Sequence, residues 1–233
     1  QRVTEVEDES NQLWCLALFI SLVEYANAGR ALASKKISVA DDAIFRSFLE
    51  GFVDLKNLVG DVGYAKHLML EHHLNWQKVH EAAGRGNPFF SAIAGDPRHA
   101  DSLIGHKAEM ERLKALGAKK LQILQKFELA GMQTEYESIY AFSSRDVHNS
   151  LSALMRRHFE VDGEQTILKL NHWEPDRCSL RLDGYISMIL DALSMLANYL
   201  GKDFSDLTVA LGRKLTRLRE RNAKTESDSV GDT

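Results

Sequence analysis

Three charged residues recur at four-residue intervals in one predicted helix: Arg46, Glu50 and Asp54. At about 100° per residue their side chains form one polar stripe beside an apolar face. An ion pair that lines a pocket would leave a carboxylate available for acid–base chemistry. Because an arginine that precedes its glutamate is the less favourable order for helix stability, helix stabilisation alone explains the pair poorly. An ordinary surface ion pair is the alternative interpretation.

A second polar cluster, much later in the chain, contains Ser144, Arg145 and His148. Ser144 and His148 are one helical turn apart, and we expect them at the edge of a buried face that includes Tyr140 and Leu151. Imidazole titrates near neutral pH, so His148 could serve as a general base with the hydroxyl one turn away. Arg145 lies further round the helix and could reach the same cleft. The alternative is a histidine that packs and makes one hydrogen bond.

These clusters need rigid elements to hold them, and the sequence predicts that those elements are helices. Only three prolines occur in 233 residues, so little interrupts the helical patterns. The predicted fold class is all-α, a single multi-helix bundle over residues 1–224 with a small β-hairpin near residues 159–171 and a disordered acidic tail over residues 225–233. Caps and apolar periodicity predict helices at about 7–34, 38–60, 64–83, 97–129, 134–159, 179–200 and 206–224.

Composition limits the classes of function. The net charge of −4 and pI near 6.2 argue against a basic nucleic-acid coat. The last predicted helix is basic and could meet RNA or membrane phosphates, but a solvated face is favoured because no aromatic residues interleave to stack bases. The longest apolar run, Leu13–Val23, is about half the ~20 residues of a bilayer span. It predicts a buried helix of a cytoplasmic protein without membrane contact, and Cys15 and Cys178 read as buried free thiols.

Several common chemistries have no sequence signature here. The chain contains no GxxxxGK[ST] or GxGxxG phosphate loop, no GxSxG elbow and no HExxH metal motif. The third predicted helix carries four histidines, which we expect to point in several directions on a solvated surface: His67, His72, His73 and His80. The sequence therefore predicts no metal and no cofactor.

The two clusters together carry a resemblance to a known family. The stretch Phe45-Arg46-Ser-Phe-Leu-Glu50-Gly-Phe-Val-Asp54, followed later by Tyr140-x-x-Ser143-Ser144-x-x-x-His148, resembles a bacterial all-helical family known only as a domain of unknown function. Members have an Arg-x-x-x-Glu helix, a later Ser-x-x-x-His helix, a short loop or hairpin and a final helix pair. The resemblance covers roughly residues 10–200. It implies an all-helical fold and marks Arg46, Glu50, Ser144 and His148.

A more distant similarity is to the nucleotide-binding helical domains of higher eukaryotes and prokaryotes (HEPN-type). Many of these are metal-independent ribonucleases of toxin–antitoxin and phage-defence systems. Their motif is an arginine, a polar residue, several spacers and a histidine. Arg145-Asp146 matches its beginning, whereas His148 comes earlier than the motif places its histidine, where Ser150 stands. The similarity implies RNA or a nucleotide as a partner.

Two hypotheses of function follow. The first is a non-catalytic interaction or oligomerisation module that forms a homodimer, in a defence or toxin–antitoxin context, with both clusters as structural polar links. The alternative is a metal-independent ribonuclease or nucleotide-acting enzyme, in which His148 deprotonates a ribose hydroxyl and Arg145 stabilises phosphate charge. Under it, Arg46 and Glu50 support catalysis while Ser144 and Asp54 bind substrate. RNA cleavage in chelator that survives His148→Ala would remove this alternative.

Overall fold

The structure is a computed structural model that describes residues 2–38, 40–147, 150–170 and 173–230, with side chains described at 10–38, 40–144, 150–170 and 173–221. It confirms the prediction of a mostly all-α chain with one small hairpin. The contacts divide the chain into two compact units, where the sequence predicts one domain. Unit 1 combines Gln1–Val59 with Phe127–Thr233, and unit 2 is Gly60–Lys126.

The helices have the following bounds in chain order: α1 Arg2–Ser34, α2 Asp41–Gly60, α3 Ala65–Gly84, α4 Ser91–Ala94, α5 His99–Ala115, α6 Ile123–Leu129, α7 Gln133–Glu135, α8 Ala141–Val147, α9 Leu151–His158, α10 Pro175–Tyr199 and α11 Ser205–Val230. Short 3₁₀ turns at Val62–Tyr64 and Pro88–Phe90 flank α3 and precede α4, and a π-helical turn at Tyr136–Tyr140 joins α7 to α8. Strands β1 Phe159–Asp162 and β2 Gln165–Leu168 complete the chain's regular elements within the described residues.

The core of unit 1 gathers where α2 and α10 meet. Phe48 and Leu49 of α2 and Tyr185 of α10 are fully buried, and the Phe48 and Tyr185 rings pack edge to face with centroids 4.9 Å apart. Burial of each such side chain stabilises the fold by about 1.5–3 kcal/mol. α1 approaches α10 at Gly29, where a Cβ would stand 2.5 Å from the Tyr185 ring. Glycine at this position therefore permits the close approach of the two helices.

The single helix predicted over residues 134–159 is wrong, because the structure interrupts it twice. The π-helical turn ends at Tyr140, and α8 ends at Val147. Ser150 is extended, and its hydroxyl accepts a hydrogen bond from the Ala153 N–H at 3.2 Å, so it begins α9 as an N-cap. Leu151, which the unbroken helix would bury, is 75% exposed.

The predicted hairpin is confirmed. β1 and β2 are antiparallel, with Phe159 opposite Leu168 and Asp162 opposite Gln165. The two-residue turn begins at Gly163, whose φ is +60°. Tight hairpin turns require such a positive φ, which residues other than glycine rarely adopt. Both strands are exposed along their length.

Unit 2 is built around the pair of α3 and α5. Its small core contains Leu70 of α3 and Met110 and Leu113 of α5, all buried. The helix predicted over about 97–129 is interrupted at Gly117, whose φ is +80°, and α5 ends at Ala115. The Asp61 side chain accepts a hydrogen bond from the Gly63 N–H, and so caps the 3₁₀ turn that leads into α3 rather than α3 itself.

Several helix ends differ from the predicted bounds. α1 begins at Arg2, α2 begins at Asp41 rather than directly after Ser38, and α10 begins at Pro175 in the first-turn position that proline favours. α11 continues to Val230, so it includes residues predicted to lie in the tail.

The apolar run in α1 is buried on one side only. Cys15 and Leu22 are buried, whereas Leu13, Trp14 and Ile20 are exposed. The predicted buried helix is therefore correct for one face of α1 and wrong for the other. By length and composition alone, Ser10–Ser34 could also cross a membrane, which is weak support for such a role.

Candidate functional site

The predicted pair of Arg46 and Glu50 forms in the structure, and Tyr140 joins it. The Arg46 Nε lies 3.1 Å from the Glu50 Oε1 and donates a hydrogen bond to the Tyr140 hydroxyl at 2.9 Å. The Tyr140 hydroxyl donates in turn to Glu50 Oε1 at 2.7 Å. The guanidinium also lies over the Tyr140 ring, 5.4 Å from its centre. These three side chains, here called the tyrosine network, link α2 to the π-helical turn.

The Tyr140 hydroxyl of the tyrosine network is a weaker acid than an ordinary tyrosine. Burial, followed by the neighbouring Glu50 carboxylate, raises the pKa of Tyr140 to about 12. The hydroxyl is therefore a neutral donor at physiological pH, and the Glu50 oxygen that accepts from it also pairs with Arg46. Such an arrangement is a polar link between two elements and leaves this carboxylate oxygen already engaged.

The other predicted site residues are placed only in part. Asp54 is half-buried one turn beyond Glu50 on α2, and Ser144 is half-buried on α8. The backbone of Arg145 belongs to α8, but its side chain lies outside the described part of the chain. His148 lies outside the described residues altogether. The predicted convergence of His148 with Arg46 and Glu50 therefore stays a prediction.

A second network, which the sequence did not predict, lies deeper in unit 1. The Asp42 carboxylate, only 4% exposed, accepts hydrogen bonds from Arg177 at 2.5 Å and from Arg181 at 2.8 Å. The same Arg181 nitrogen donates to the fully buried Ser143 hydroxyl at 2.8 Å. These residues form the arginine network, which joins the start of α2, α8 and α10. Its sequence signal is two arginines four residues apart in an otherwise apolar helix, but no local pattern singles out Asp42 as their partner.

The arginine network is surrounded by further charges. Arg156 of α9 donates to Glu174 at 3.0 Å, and the Arg181 Nε lies 3.9 Å from Asp41. Burial raises the pKa of the Asp41 carboxyl, an effect that the nearby Arg181 opposes. The hollow between these groups encloses about 20 Å³, room for one or two waters rather than for a ligand. The network is therefore a packed ionic core.

Arg177 and Arg181 also line a larger pocket. It holds about 510 Å³ and is lined by residues of α2, the π-helical turn, α8 and α10: Phe45, Ser138, Ile139, Phe142, Arg177, Leu180, Arg181, Asp183 and Gly184. Small-molecule pockets typically measure about 300–1,000 Å³, so this one has the size of a binding site.

Five of the six histidines of unit 2 meet in one cluster, which corrects the predicted scatter of directions for His72, His73 and His80. His67 points elsewhere, as predicted, and contacts the backbone of Lys119. The Nδ1 atoms of His73 on α3 and His106 on α5 are 2.8 Å apart, and those of His80 and His99 are 2.9 Å apart. The Trp76 ring stacks parallel to that of His106. Burial, and for His106 the neighbouring histidines, lower the pKa values of His73 and His106. Among the described residues, no three His, Cys, Asp or Glu side chains are arranged to hold a metal.

The comparisons with known proteins give a family and no activity. The sequence model of a family of unknown function (DUF5677) matches residues 12–166, a segment that includes both predicted clusters and ends before α10. No curated protein and no solved structure shows significant similarity to the chain.

Proposed function

Because this chain belongs to DUF5677, a family of unknown function, its role must be inferred from its own geometry, and we propose that it is a non-catalytic interaction module that forms a homodimer through α1. The polar clusters support a structural role. In the tyrosine network the three groups bind one another, and the arginine network encloses too little space for a substrate.

The observation that carries the proposal is the pattern of α1. Asn11, Cys15 and Leu22 form its buried face against unit 1, and Gly29 continues that face. The opposite side presents Leu13, Leu16 and Ile20, which follow the three- and four-residue spacing of a helix–helix seam. A helix that is apolar on both sides requires a second packing partner that buries the exposed side.

Charge favours a second copy of α1 as that packing partner. Four acidic residues lie within Glu5–Glu9 at the start of the helix, whereas Arg30 lies near its end and Lys35 and Lys36 directly follow it. Two antiparallel copies place each acidic start beside the partner's basic end, which attracts and also fixes the orientation. A helix of 33 residues is about 50 Å long. Pairing along that length could bury an interface of standard size, roughly 1,600 Å².

The test is the molar mass of the full chain in solution. Wild type should be a dimer at micromolar concentration, by light scattering and sedimentation equilibrium, and the dimer should weaken in high salt. Ile20→Asp places a charge in the seam of each copy and should shift the chain to monomer, with at least a tenfold rise in the dimer Kd. Because Ile20 is 57% exposed, this change should not unfold the protomer.

Ile104→Asp is the matched control, since Ile104 is an exposed isoleucine of α5 in unit 2. It should leave the dimer unchanged. A monomeric wild type, or equal dimerisation of both variants, contradicts the proposal. A monomeric wild type that sediments with phosphatidylcholine vesicles, and loses this binding with Ile20→Asp, would identify a membrane as the occupant instead.

The ribonuclease alternative, and with it a defence or toxin–antitoxin role, depends on His148 and Arg145. One observation favours it: α8 follows directly from Tyr140, so the backbone of Arg145 lies within two helical turns of the tyrosine network. Cleavage of RNA in the presence of chelator, abolished by His148→Ala, is the result that supports this alternative.

A further inference from the structure

We propose that the 510 Å³ pocket of unit 1, here called the phenylalanine pocket, binds a small amphipathic organic anion with an aromatic or branched body and one anionic group. The site is distinct from the seam on α1, so the proposal goes beyond dimerisation. It rests on the volume of the pocket, its apolar walls and the two arginines in its lining.

The walls are mostly apolar. Phe45 comes from α2, Ile139 from the π-helical turn, Phe142 from α8 and Leu180 from α10. Gly184 completes the α10 wall, and a Cβ there would already touch the Phe45 ring at 3.4 Å. A larger side chain at 184 would therefore take up space in the pocket. A body without strong polarity would be bound here by burial of apolar area.

Two arginines belong to the lining of the pocket. The Arg181 guanidinium lies 4.2 Å from the centre of the Phe45 ring, and that of Arg177 lies 5.6 Å from the centre of the Phe142 ring. Asp42, which is not part of the lining, holds both arginines through hydrogen bonds of 2.5 and 2.8 Å. A guanidinium has five N–H donors, so Arg181 can bind Asp42 and Ser143 and still donate to an anion.

The acidic residue in the lining does not oppose an anion. Asp183 is engaged by Arg219 of α11, which donates to its two carboxylate oxygens at 2.6 and 2.7 Å. The cationic groups in the lining are therefore Arg177 and Arg181, which ion pairs with carboxylates already hold in place. Such preorganisation lowers the cost of binding an anion. The ligand class follows from the combination of an apolar cavity and two arginine donors in its lining.

The probe for this site is anilinonaphthalene sulfonate, which has an aromatic body and one sulfonate. The native full chain at neutral pH should bind it at one site per chain, measured by fluorescence and calorimetry. The uncharged analogue phenylnaphthylamine should bind about tenfold more weakly, because it lacks the group that meets the arginines. High salt should weaken the sulfonate and spare the neutral analogue.

Two matched variants locate the site. Leu180→Asp puts a carboxylate at the pocket, and it should weaken the sulfonate at least tenfold. Leu151→Asp introduces the same charge on α9, outside the lining, at a leucine equally exposed (75% against 73% for Leu180). It should leave binding unchanged. Since both leucines face solvent, neither change should unfold the chain.

Three results overturn the proposal. The first is the absence of saturable sulfonate binding to the wild type. The second is that Leu180→Asp and Leu151→Asp bind the sulfonate equally well, or that the wild type binds the neutral analogue as tightly as the sulfonate. The third is binding lost with Ile20→Asp, which would place the probe on α1 instead. Leu180 is not part of the α1 seam, so probe binding and oligomeric state are separate measurements. If the wild type proves to be a monomer, the dimer proposal fails while the pocket proposal is still decided by probe binding.

Discussion

The two units bury polar groups between helices in different ways. Unit 1 joins its helices with ion pairs between arginines and a carboxylate, as in the arginine network around Asp42. Unit 2 joins α3 and α5 with histidines that pair through their Nδ1 atoms. The first arrangement depends on the opposite charges of arginine and aspartate. The second depends on hydrogen bonds that need one ring with a proton and one with a lone pair, so we expect this connection to be sensitive to acid.

The largest effect is expected from Asp42→Ala. The change leaves the buried Arg181 and its neighbour Arg177 without their shared carboxylate, and removal of one partner of a buried ion pair costs about 3–5 kcal/mol. Urea denaturation of the full chain measures the free energy of unfolding. Asp183→Ala is the control, since it breaks an exposed pair with Arg219 and should change little. Equal effects of the two variants would show that the arginine network is no more important than a surface pair.

A smaller effect is expected from Tyr140→Phe. The change removes the hydroxyl that bridges Arg46 and Glu50, while the direct contact of 3.1 Å between those two remains. Because the tyrosine network is partly exposed, the loss should be about 1 kcal/mol in the same denaturation experiment. Tyr136→Phe is the control, since the Tyr136 ring stacks on Tyr140 within the same turn. A loss above about 3 kcal/mol would place this network with the buried one.

Local sequence patterns predicted the helices well and the sites unevenly. The four-residue spacing of Arg46 and Glu50 placed that pair correctly, because both residues lie on one helix. Tyr140 was recognised as buried, but its hydroxyl meets Glu50 only through a long-range contact that no spacing encodes. The arginine network also depends on a long-range contact, since Asp42 and Arg181 are far apart in the chain. The break before α9 was missed because Ser150 competes with the helix through its own hydroxyl, a local cap inside an otherwise apolar pattern.

The antiparallel geometry of α3 and α5 also explains why the histidines were misjudged. His73 and His80 are seven residues apart on one helix, as are His99 and His106 on the other, so each helix presents two rings to its partner. One helix read alone shows histidines on several faces. Only the pairing of the helices shows that the rings meet.

The smallest expected effect is a pH dependence that belongs to unit 2. Each Nδ1···Nδ1 hydrogen bond needs one ring with a proton and one with a lone pair, so a second proton breaks it. The folded pKa values of His73 and His106 lie below the ordinary value of 6.5, with burial as the first cause, while Glu109 opposes the effect at His73 and Arg112 adds to it. These histidines therefore contribute stability that is present above about pH 6.5 and is lost as the pH falls through the folded values. Hydrogen exchange should show α3 and α5 losing protection at pH 5 before α2 and α10 do.

His106→Gln tests the cause of that pH dependence. It removes a ring that contacts His72, His73 and His80, so the free energy of unfolding should fall less between pH 7.5 and pH 5 than in wild type. His158→Gln is the control, because His158 contacts the backbone oxygen of Lys169 in the hairpin rather than another histidine. An unchanged pH slope in His106→Gln would mean that the histidine cluster does not connect its helices through protons. The contrast between the two units would then be one of residue type alone, since both connections would respond to acid in the same way.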